Sequence, residues 1–262
     1  MTKRDVLRDL FDLTGSLALV TGGSRGLGKQ IGLALGLAGA RVLLAGRDPA
    51  TAEAAARDLV ADGVDAAGIA LDVTDRAAVV ALADRLAAEG GGVDVLVNAA
   101  GVQHRAASVD FPEDRWRFVL DVNLNGTFWT CQAFGRHMVA NGRGKILNIG
   151  SLTSTMGLPR RPAYTVSKGG VLLLTRTLAV EWAQAGVHVN AIGPGYFRTE
   201  MNTALFDDQA WVEKVMVHIP MKREGLPPDL EGTALYLCSR ASDYVTGQIV
   251  YVDGGFLAGR EL

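Results

Sequence analysis

The chain has 262 residues, a formal net charge of −2 at pH 7, 48% hydrophobic residues and 6% aromatic residues. This nearly balanced charge, without a run of basic residues, argues against binding of nucleic acid or of anionic lipid surfaces. No apolar run approaches the ~20 residues of a membrane span, and the two cysteines and four histidines show no disulfide or metal-ligand spacing, which predicts a cytoplasmic protein without a metal.

The first predicted strand, Leu17–Val20, is followed by a glycine-rich turn, Thr21–Gly28, and then by a helical pattern that reaches Gly39. Glycine lets the backbone approach a phosphate closely, and the N-terminus of the helix offers N–H groups and a partial positive charge. This order of strand, turn and helix predicts binding of a dinucleotide pyrophosphate. The candidate residues of the turn are Gly22, Ser24, Arg25, Gly26, Leu27 and Gly28.

The end of the second predicted strand, Val42–Ala45, indicates which dinucleotide is bound. An acidic residue there would accept a hydrogen bond from the ribose 2′-hydroxyl of NAD, but this chain has Gly46 and Arg47. A guanidinium instead suits a 2′-phosphate, and Arg25 would reach the same group. We therefore predict NADP(H) in preference to NAD(H); the alternative is that Arg47 faces solvent beside Asp48.

The same alternation of strands and helices continues through the middle of the chain. Predicted helices cover Pro49–Asp62, Asp75–Glu89 and Pro112–Ala140. One predicted strand ends at Leu71–Val73, and the next covers Val93–Val97. The small residues of Asn98–Gly101 follow the second of these strands and would let a flat ring lie against the backbone. Because no linker interrupts the alternation, the sequence predicts one α/β domain over residues 1–262, built on a parallel sheet.

The central feature combines Ser151, just beyond the predicted strand Lys145–Ile149, with Tyr164 and Lys168. A spacing of four residues places Tyr164 and Lys168 on one face of a helix. A free tyrosine has a pKa of about 10, and an adjacent ammonium favours the phenolate. The pair therefore predicts a tyrosine whose pKa is lowered by Lys168 and which exchanges protons with a substrate.

The last part of the chain completes the pattern. The helix of Tyr164 reaches Ala185, and later elements are the strand Val187–Ile192, which leads to Pro194 and Gly195, the helix Asp229–Cys238 and the strand Ile249–Val252. The candidate residues lie at or beyond the carboxyl ends of strands, where parallel sheets bind ligands. The apolar stretch 196–221 interrupts the alternation and is predicted to be a lid over the substrate.

Taken together and in this order, these motifs resemble those of the short-chain dehydrogenase/reductase family over nearly the whole chain. The matching residues are Thr21-Gly22…Gly26-x-Gly28, Asp72-Val73, Asn98-Ala-Ala-Gly101, Asn123, Ser151, Tyr164-x-x-x-Lys168 and Pro194-Gly195…Thr199. The resemblance implies a Rossmann fold, a doubly wound parallel sheet of seven strands with helices on both faces, and hydride transfer between a nicotinamide and a carbonyl carbon. One departure is Ala99, where the family often has a second Asn.

The resemblance also implies a role for each matching residue. Tyr164 would be the general acid/base, Lys168 would lower its pKa and bind the nicotinamide ribose, and Ser151 would polarise the substrate carbonyl. Asn123 would hold a water that relays protons to Lys168. The cofactor would be contacted by Asp72 and Val73 at the adenine, by Asn98, Ala100 and Gly101 along the cleft, and by Pro194, Gly195 and Thr199 at the nicotinamide.

Within the family, several loops resemble those of gluconate 5-dehydrogenases and related deoxygluconate dehydrogenases. They are Leu13–Gly15, Gly101–Arg105, Pro194–Met201 and the stretch from Ala241 to Gly255. The implied substrate is a sugar acid, whose carboxylate Arg105 would clamp with a two-pronged hydrogen bond. We interpret Arg160 and Arg161 as solvated loop charges, with a substitute carboxylate clamp as the alternative, and Ser154 as a further polar contact for the substrate.

Three functions are compatible with these features. The leading hypothesis is an NADP-dependent oxidoreductase that interconverts a polyhydroxy acid such as gluconate with its 5-keto form. The alternative is a reductase of less polar ketones or 3-oxoacyl groups, whose pocket would be formed by the apolar lid residues Met201, Leu205, Phe206, Trp211, Val215 and Met216. The third is a non-catalytic NADP-binding regulator. The last strand with Asp253–Gly255 and the long helices from Pro112 and Ala163 resemble surfaces through which the family forms dimers and tetramers, which predicts a homotetramer.

Overall fold

The computed structural model describes residues 3–199 and 203–259, so Met201 of the predicted lid lies outside the described residues. Within these ranges the strands are β1 (Leu17–Thr21), β2 (Arg41–Gly46), β3 (Ala66–Ala70), β4 (Val95–Asn98), β5 (Gly144–Ile149), β6 (Val187–Pro194) and β7 (Ile249–Val252). The helices are α1 (Lys3–Phe11), α2 (Gly26–Leu37), α3 (Pro49–Ala61), α4 (Arg76–Gly90), α5 (Glu113–Leu120), α6 (Gly126–Asn141), α7 (Pro162–Trp182), α8 (Thr203–Phe206), α9 (Gln209–Met216) and α10 (Glu231–Cys238). None of these described helices combines the length and the apolar character that a bilayer crossing requires.

The strands form one parallel sheet in the order β3-β2-β1-β4-β5-β6-β7. The chain runs outward from β1 to β3 and then returns to place β4 on the other side of β1. This reversal is a topological switch point, where connections leave the two neighbouring strands in opposite directions and open a crevice at their carboxyl ends. Thr21 and Asn98 are paired at that edge of the sheet. The structure thus confirms the predicted parallel α/β fold.

Helices cover both faces of the sheet because the central strands are apolar on both sides. In β1, Ala18 and Val20 belong to the core that packs under α2, α3 and α10, whereas Leu19 belongs to the opposite core with residues of α4, α6 and α7. In β4, Val97 belongs to the first of these cores and Leu96 to the second. All five side chains are fully buried. This alternation confirms the doubly wound arrangement.

Local sequence signals explain where several helices begin and end. Asp48 and Asp75 precede α3 and α4, and the carboxylate of each accepts a hydrogen bond of 3.0 Å from a backbone N–H in the first turn of its helix. Gly91 and Gly142 end α4 and α6 with left-handed backbone conformations, which glycine adopts without a steric penalty. The helices therefore start and stop at residues suited to their termini, and the connections deliver the strand ends to one edge.

Two of the differences between predicted and observed elements concern the residues of the site. The third strand ends at Ala70 rather than at Leu71–Val73, because Asp72 turns the chain by accepting hydrogen bonds from the N–H and hydroxyl of Thr74 at 2.9 and 2.8 Å. The predicted helix Pro112–Ala140 is interrupted between α5 and α6 by a π-helical turn over Asp121–Asn125. Such turns often mark functional sites, and this one contains Asn123.

Candidate active site

A cleft of about 310 Å³ opens at the carboxyl ends of the strands, beside the switch point between β1 and β4. Most residues singled out from the sequence line it: Gly22, Ser24, Arg25, Gly26, Leu27, Gly28, Arg47, Asp72, Val73, Ala100, Gly101, Ser151, Tyr164, Lys168, Pro194, Gly195 and Thr199. Four others lie outside its lining, namely Asn98, Arg105, Asn123 and Ser154. The fold therefore brings residues from distant parts of the chain into one site.

The glycine turn is packed too tightly for larger residues. A Cβ added to Gly22 would lie 2.6 Å from the backbone N of Ala100, and one added to Gly28 would lie 2.4 Å from the carbonyl oxygen of Gly22. Gly22 also has a φ of +65°, which favours glycine. The turn after β1 therefore packs closely against the backbone of the loop that follows β4, and the first turn of α2 packs closely against the turn after β1. The N-terminus of α2 is left facing the cleft, as binding of a pyrophosphate requires.

The two arginines predicted to contact a 2′-phosphate line the same end of the cleft. Arg25 and Arg47 are both exposed, and neither forms an ion pair with another described residue. The neighbouring carboxylate of Asp48 is engaged with the N-terminus of α3. A Cβ on Gly46 would lie 3.1 Å from the hydroxyl of Ser24, so the turn after β1 adjoins the end of β2. This donor set fits a phosphate.

Tyr164 and Lys168 lie on α7 and line the cleft. The Lys168 Nζ lies 5.8 Å from the centroid of the Tyr164 ring and donates a hydrogen bond of 2.6 Å to the carbonyl of Ile149 at the end of β5. Tyr164 and Lys168 therefore lie close together on one face of the helix, as their spacing predicts. The bond to Ile149 fixes the buried ammonium between α7 and the sheet.

Burial dominates the titration of this pair. It raises the pKa of Tyr164 above its usual value, although a hydrogen bond from Ser151 and the charge of Arg161 act in the opposite direction. Burial also lowers the pKa of Lys168 to about 8. The net shift of the Tyr164 pKa in this structure is therefore upward, opposite to the lowering predicted from the Tyr164–Lys168 spacing, and the effect of Lys168 on it stays a prediction. At neutral pH the tyrosine is a phenol that can donate a proton.

The loop after β5 fixes Ser151 against α7. The Ser151 hydroxyl accepts a hydrogen bond of 3.2 Å from the N–H of Thr153. The Ser154 hydroxyl accepts one of 3.2 Å from the N–H of Ser151 and donates one of 3.0 Å to the carbonyl of Lys168. Ser154 is buried and its hydroxyl hydrogen is already committed to the backbone. Its observed contacts therefore hold the loop in place, and a substrate contact for Ser154 stays a prediction.

Asn123 is fully buried behind the cleft, in the π-helical turn. Its amide exchanges two hydrogen bonds with the backbone of Val102, at 2.8 and 2.9 Å, and donates a third of 3.1 Å to the hydroxyl of Ser167. A Cβ on Gly101 would lie 3.6 Å from the Asn123 Oδ1 and 3.9 Å from the Lys168 Nζ. Asn123 thus links the loop after β4 to the helix that carries Lys168.

Asn98 lies inside the sheet rather than at the cleft surface. Its side chain donates to the Asn148 Oδ1 at 2.9 Å and accepts from the hydroxyl of Thr130 at 2.7 Å. The amide pair joins β4 to β5 directly, so adjacent strands are tied together even though position 99 is Ala. The predicted contact of Asn98 with the cofactor stays a prediction, and its observed side-chain contacts are structural.

The three arginines near the substrate end differ in their exposure and in whether they line the cleft. Arg105 is exposed and does not line the cleft. Arg161 is half-buried, lines the cleft and lies close enough to Tyr164 and Tyr196 to affect the pKa of each. Arg160 is exposed. The interpretation as solvated loop charges is therefore confirmed for Arg160 and wrong for Arg161.

The stretch 196–221 borders the cleft through a cluster of aromatic rings. Tyr196 and Trp211 line the cleft, and their ring centroids lie 5.8 Å apart. Phe206 is buried against Trp211, with ring centroids 5.2 Å apart, and Val215 is also buried. Of the predicted apolar pocket residues whose side chains are described, Trp211 alone lines the cleft. Tyr196 and Gln103 also line it and were missed, although both lie in loops just beyond strands.

The described residues give little support for metal-dependent chemistry or for a catalytic cysteine. No group of three histidine, cysteine or acidic side chains in residues 3–199 and 203–259 could hold a metal ion. Cys131 and Cys238 are buried, unpaired thiols, and burial raises the pKa of each to about 12. Such thiols are poor nucleophiles at neutral pH.

The chain is similar to known proteins over nearly its whole length. A family model described as enoyl-(acyl carrier protein) reductase matches residues 22–257. Gluconate 5-dehydrogenase of Gluconobacter oxydans (strain 621H) is 40% identical over 247 residues, covering 94% of this chain and 96% of the relative. 2-Dehydro-3-deoxy-D-gluconate 5-dehydrogenase of Bacillus subtilis (strain 168) is 44% identical over 253 residues, covering 96% and 98%. The crystal structure of a gluconate 5-dehydrogenase from Burkholderia cenocepacia J2315 in complex with NADP and tartrate has a TM-score of 0.93, 40% identity and coverage of 97% and 99%.

Proposed function

Because this chain belongs to the short-chain dehydrogenase/reductase family, we propose that it interconverts the secondary alcohol and the ketone of a sugar acid, as gluconate 5-dehydrogenases do. The observation that carries this proposal is the cluster of Ser151, Tyr164 and Lys168 in a cleft whose other end fits a dinucleotide. The sugar-acid substrate is supported by the relatives of similar length that act on gluconate derivatives. The cluster also argues against a non-catalytic regulator.

Tyr164 is proposed as the general acid in reduction and the general base in oxidation. NADP(H) supplies or accepts the hydride when it is bound. A phenol with a raised pKa remains protonated at neutral pH and can donate to the oxygen of a carbonyl as negative charge develops there. Ser151 would donate a hydrogen bond to the same oxygen. The bond between Lys168 and Ile149 would keep the ammonium in place to hold the nicotinamide ribose.

Asn123 is proposed to act behind this cluster. Its fixed hydrogen bonds to Val102 and Ser167 hold the loop after β4 and the helix of Lys168 at a constant separation. A proton relay that leads from Lys168 past Asn123 is consistent with this arrangement. The proposed site is completed by the predicted contacts with the cofactor. These are made by the glycine turn, Asp72–Val73, Asn98–Gly101 and Pro194–Thr199.

We also propose that NADP(H) is preferred over NAD(H). Support comes from Arg25 and Arg47, two guanidinium groups without described ion pairs at the end of the cleft beside β2. Charged hydrogen bonds to a 2′-phosphate are stronger than those to neutral groups. A preference for NAD would need a carboxylate after β2, and Asp48 is instead engaged in capping α3.

A reductase of less polar ketones is the second candidate. Its support is the aromatic border of the cleft, formed by Tyr196 and Trp211. The buried positions of Phe206 and Val215 weaken it, because these side chains pack within the proposed lid rather than offering a pocket wall. The lid over residues 196–221, the single domain over 1–262 and the cytoplasmic location stay predictions.

Initial rates with NADPH and NADH over a panel of carbonyl substrates test the proposed function. We expect reduction of 5-ketogluconate, with NADPH used more efficiently than NADH, and slower reduction of 2-ketogluconate. Reduction of an aryl ketone or a 3-oxoacyl thioester in preference to both keto acids would contradict the sugar-acid substrate and favour the second candidate. Faster reaction with NADH would contradict the assigned role of the two arginines.

The protein is further proposed to be a homotetramer. On α7, Val166, Leu173 and Val180 are spaced by seven residues and expose 50%, 62% and 81% of their surfaces in the isolated chain, which is an unusual apolar row for a monomer. Light scattering should give about four times the 27.7 kDa of one chain, and Leu173→Glu should reduce that mass. A wild-type mass equal to one chain would refute the assembly.

A further inference from the structure

We propose that Arg161, and not Arg105, is the residue that binds the carboxylate of the substrate. This inference rests on the proposed function, since it concerns the acid group of a sugar acid that Tyr164 reduces or oxidises. It reverses the preferred assignment from the sequence, in which Arg105 forms the clamp and Arg161 is a solvated charge, and selects the alternative that Arg161 acts as the clamp. It also gives the cleft a specific means of preferring an acid over a neutral sugar.

The position of Arg161 fits contact with a substrate. It directly precedes α7, and its carbonyl accepts a hydrogen bond of 3.0 Å from the N–H of Thr165 in the first turn. The residue is thereby held three positions before Tyr164, on the rigid element that carries the reacting hydroxyl. Its half-buried side chain lines the cleft together with Leu158 and Tyr196. A ligand held at Arg161 is therefore adjacent to Tyr164.

The charge distribution leaves Arg161 in need of an anion. Among the described residues no carboxylate forms an ion pair with it, whereas Arg198 and Arg223, which lie outside the cleft lining, are paired with acidic side chains at 2.6 to 3.3 Å. The one acidic residue that lines the cleft is Asp72, whose carboxylate is engaged with Thr74. A half-buried cation without a counter-ion is unfavourable, so a bound carboxylate would relieve that cost.

The pKa of Arg161 is consistent with this arrangement. It lies below its usual value, first because burial disfavours the charged guanidinium and second because Arg105 adds positive charge nearby. The two guanidinium groups thus create a positive potential at the substrate end of the cleft. Lys168, the other cation at that end, is already committed to the carbonyl of Ile149. Among the described cations that line the substrate end of the cleft, Arg161 is therefore the one whose donors remain for a carboxylate.

Arg105 contributes positive charge from a position outside the cleft lining. It is exposed and beyond the cleft lining. The N–H of Ala106 donates a hydrogen bond of 3.1 Å to the carbonyl of Arg160, which joins the loop of Arg105 to the segment before α7. Arg105 therefore remains near the rim, where its charge is screened by solvent. Removing it should weaken carboxylate binding much less than removing Arg161.

A matched pair of substrates tests this inference. 5-Ketogluconate and L-sorbose have the same carbon chain and the same ketone, but L-sorbose has a hydroxymethyl group where 5-ketogluconate has its carboxylate. The carboxylate preference is the ratio of their kcat/KM values, or a lower limit if L-sorbose is not reduced. Both reactions need Tyr164, so an effect of Arg161 on the pKa of that tyrosine cancels in the ratio.

The variants are Arg161→Gln, Arg105→Gln and the neighbouring Arg160→Gln as a control with the same loss of charge. We expect Arg161→Gln to lower the carboxylate preference by about 10- to 100-fold, the usual effect of losing a hydrogen bond between charged groups, chiefly through KM. Arg105→Gln should lower it by less than about 3-fold, as expected of an exposed charge, and Arg160→Gln should leave it unchanged. The inhibition constant of tartrate should rise in Arg161→Gln by a factor similar to that in KM, which gives a measurement independent of L-sorbose.

The possible failures are distinguishable. If the wild-type enzyme does not prefer 5-ketogluconate over L-sorbose, the proposed sugar-acid function fails, and this inference with it. If the wild-type preference is present but survives Arg161→Gln, only the inference fails, and loss of preference in Arg105→Gln would restore the original assignment. The affinity for NADPH, measured by fluorescence, should be the same in all variants. A selective loss of that affinity in Arg161→Gln would mean that Arg161 serves the cofactor, which also overturns the inference.

Discussion

Replacement of Tyr164 by phenylalanine is expected to lower kcat for 5-ketogluconate reduction by about 10²- to 10⁴-fold, the usual contribution of a positioned general acid. The ring remains in place, so the packing of α7 against the loop after β5 should persist. The substitution removes only the Tyr164 hydroxyl, which is the proton donor. Ser151 remains, and so does the Lys168 ammonium, which lies 5.8 Å from the ring centroid. Steady-state rates with saturating NADPH measure the effect.

Tyr244→Phe is the matched control for this experiment. Tyr244 is fully exposed and lies outside the cleft lining, so the same loss of a hydroxyl should leave kcat unchanged. NADPH affinity should be similar in both variants, which separates a catalytic defect from misfolding. If Tyr164→Phe retains more than a tenth of the wild-type kcat, another group donates the proton, and the role assigned to Tyr164 is wrong.

The titration of Tyr164 illustrates what spacing alone predicts and what it does not. A separation of four residues correctly places Tyr164 and Lys168 on one helical face. The direction of the pKa shift depends on how much solvent reaches both groups, which is a property of the tertiary structure. In this protein burial raises the pKa of the tyrosine and lowers that of the lysine to about 8. The pattern therefore predicted the partners but not the dominant physical effect.

Most of the sheet was predictable because its central strands are short, continuous apolar runs between turn residues. β7 matches its predicted bounds, and β1, β2 and β5 differ by one residue at one or both ends. The π-helical turn at Asn123 was not predictable. The buried Asn123 amide in this turn bonds to Val102 and Ser167, residues distant in sequence. Helical periodicity on either side carries no sign of such a local interruption.

The residues of the candidate site likewise include some that could be predicted from the sequence and some that could not. Residues in strand-terminal turns, such as Gly22 and Ser151, were predictable because parallel strands end at a common edge. Arg161 was predicted only as an alternative carboxylate clamp, since its sequence neighbours Arg160 and Pro162 are typical of an exposed loop. Only the fold reveals that one of two adjacent arginines lines the cleft while the other remains outside. A side chain's neighbours across the cleft, rather than along the chain, determine its role.

The second large effect is expected at the opposite end of the cleft, when Arg25 and Arg47 are both replaced by glutamine. The double variant should lose about 10²- to 10³-fold in the ratio of kcat/KM for NADPH to kcat/KM for NADH, because each guanidinium would form charged hydrogen bonds with the 2′-phosphate. The loss should appear in the NADPH reaction alone. NADH lacks the phosphate, so its reaction should be nearly unchanged.

Two features of the structure make this expectation specific to the 2′-phosphate. Arg25 and Arg47 reach the cleft from different elements, the turn after β1 and the end of β2, and the close approach of Gly46 to Ser24 brings those elements together. Neither arginine has a described ion pair whose loss would disturb the fold. The double replacement should therefore change ligand binding without lowering the melting temperature of the protein.

Arg41→Gln provides the control at the other end of the same strand. Arg41 begins β2, whereas Arg47 directly follows it, and Arg41 is exposed with its guanidinium 3.8 Å from the carboxylate of Asp65. It lies away from the cleft, so its loss should leave the cofactor ratio unchanged. If Arg41→Gln alters the ratio as strongly as the double variant does, general charge rather than a phosphate contact sets the preference. An unchanged ratio in the double variant would show that other groups select NADPH.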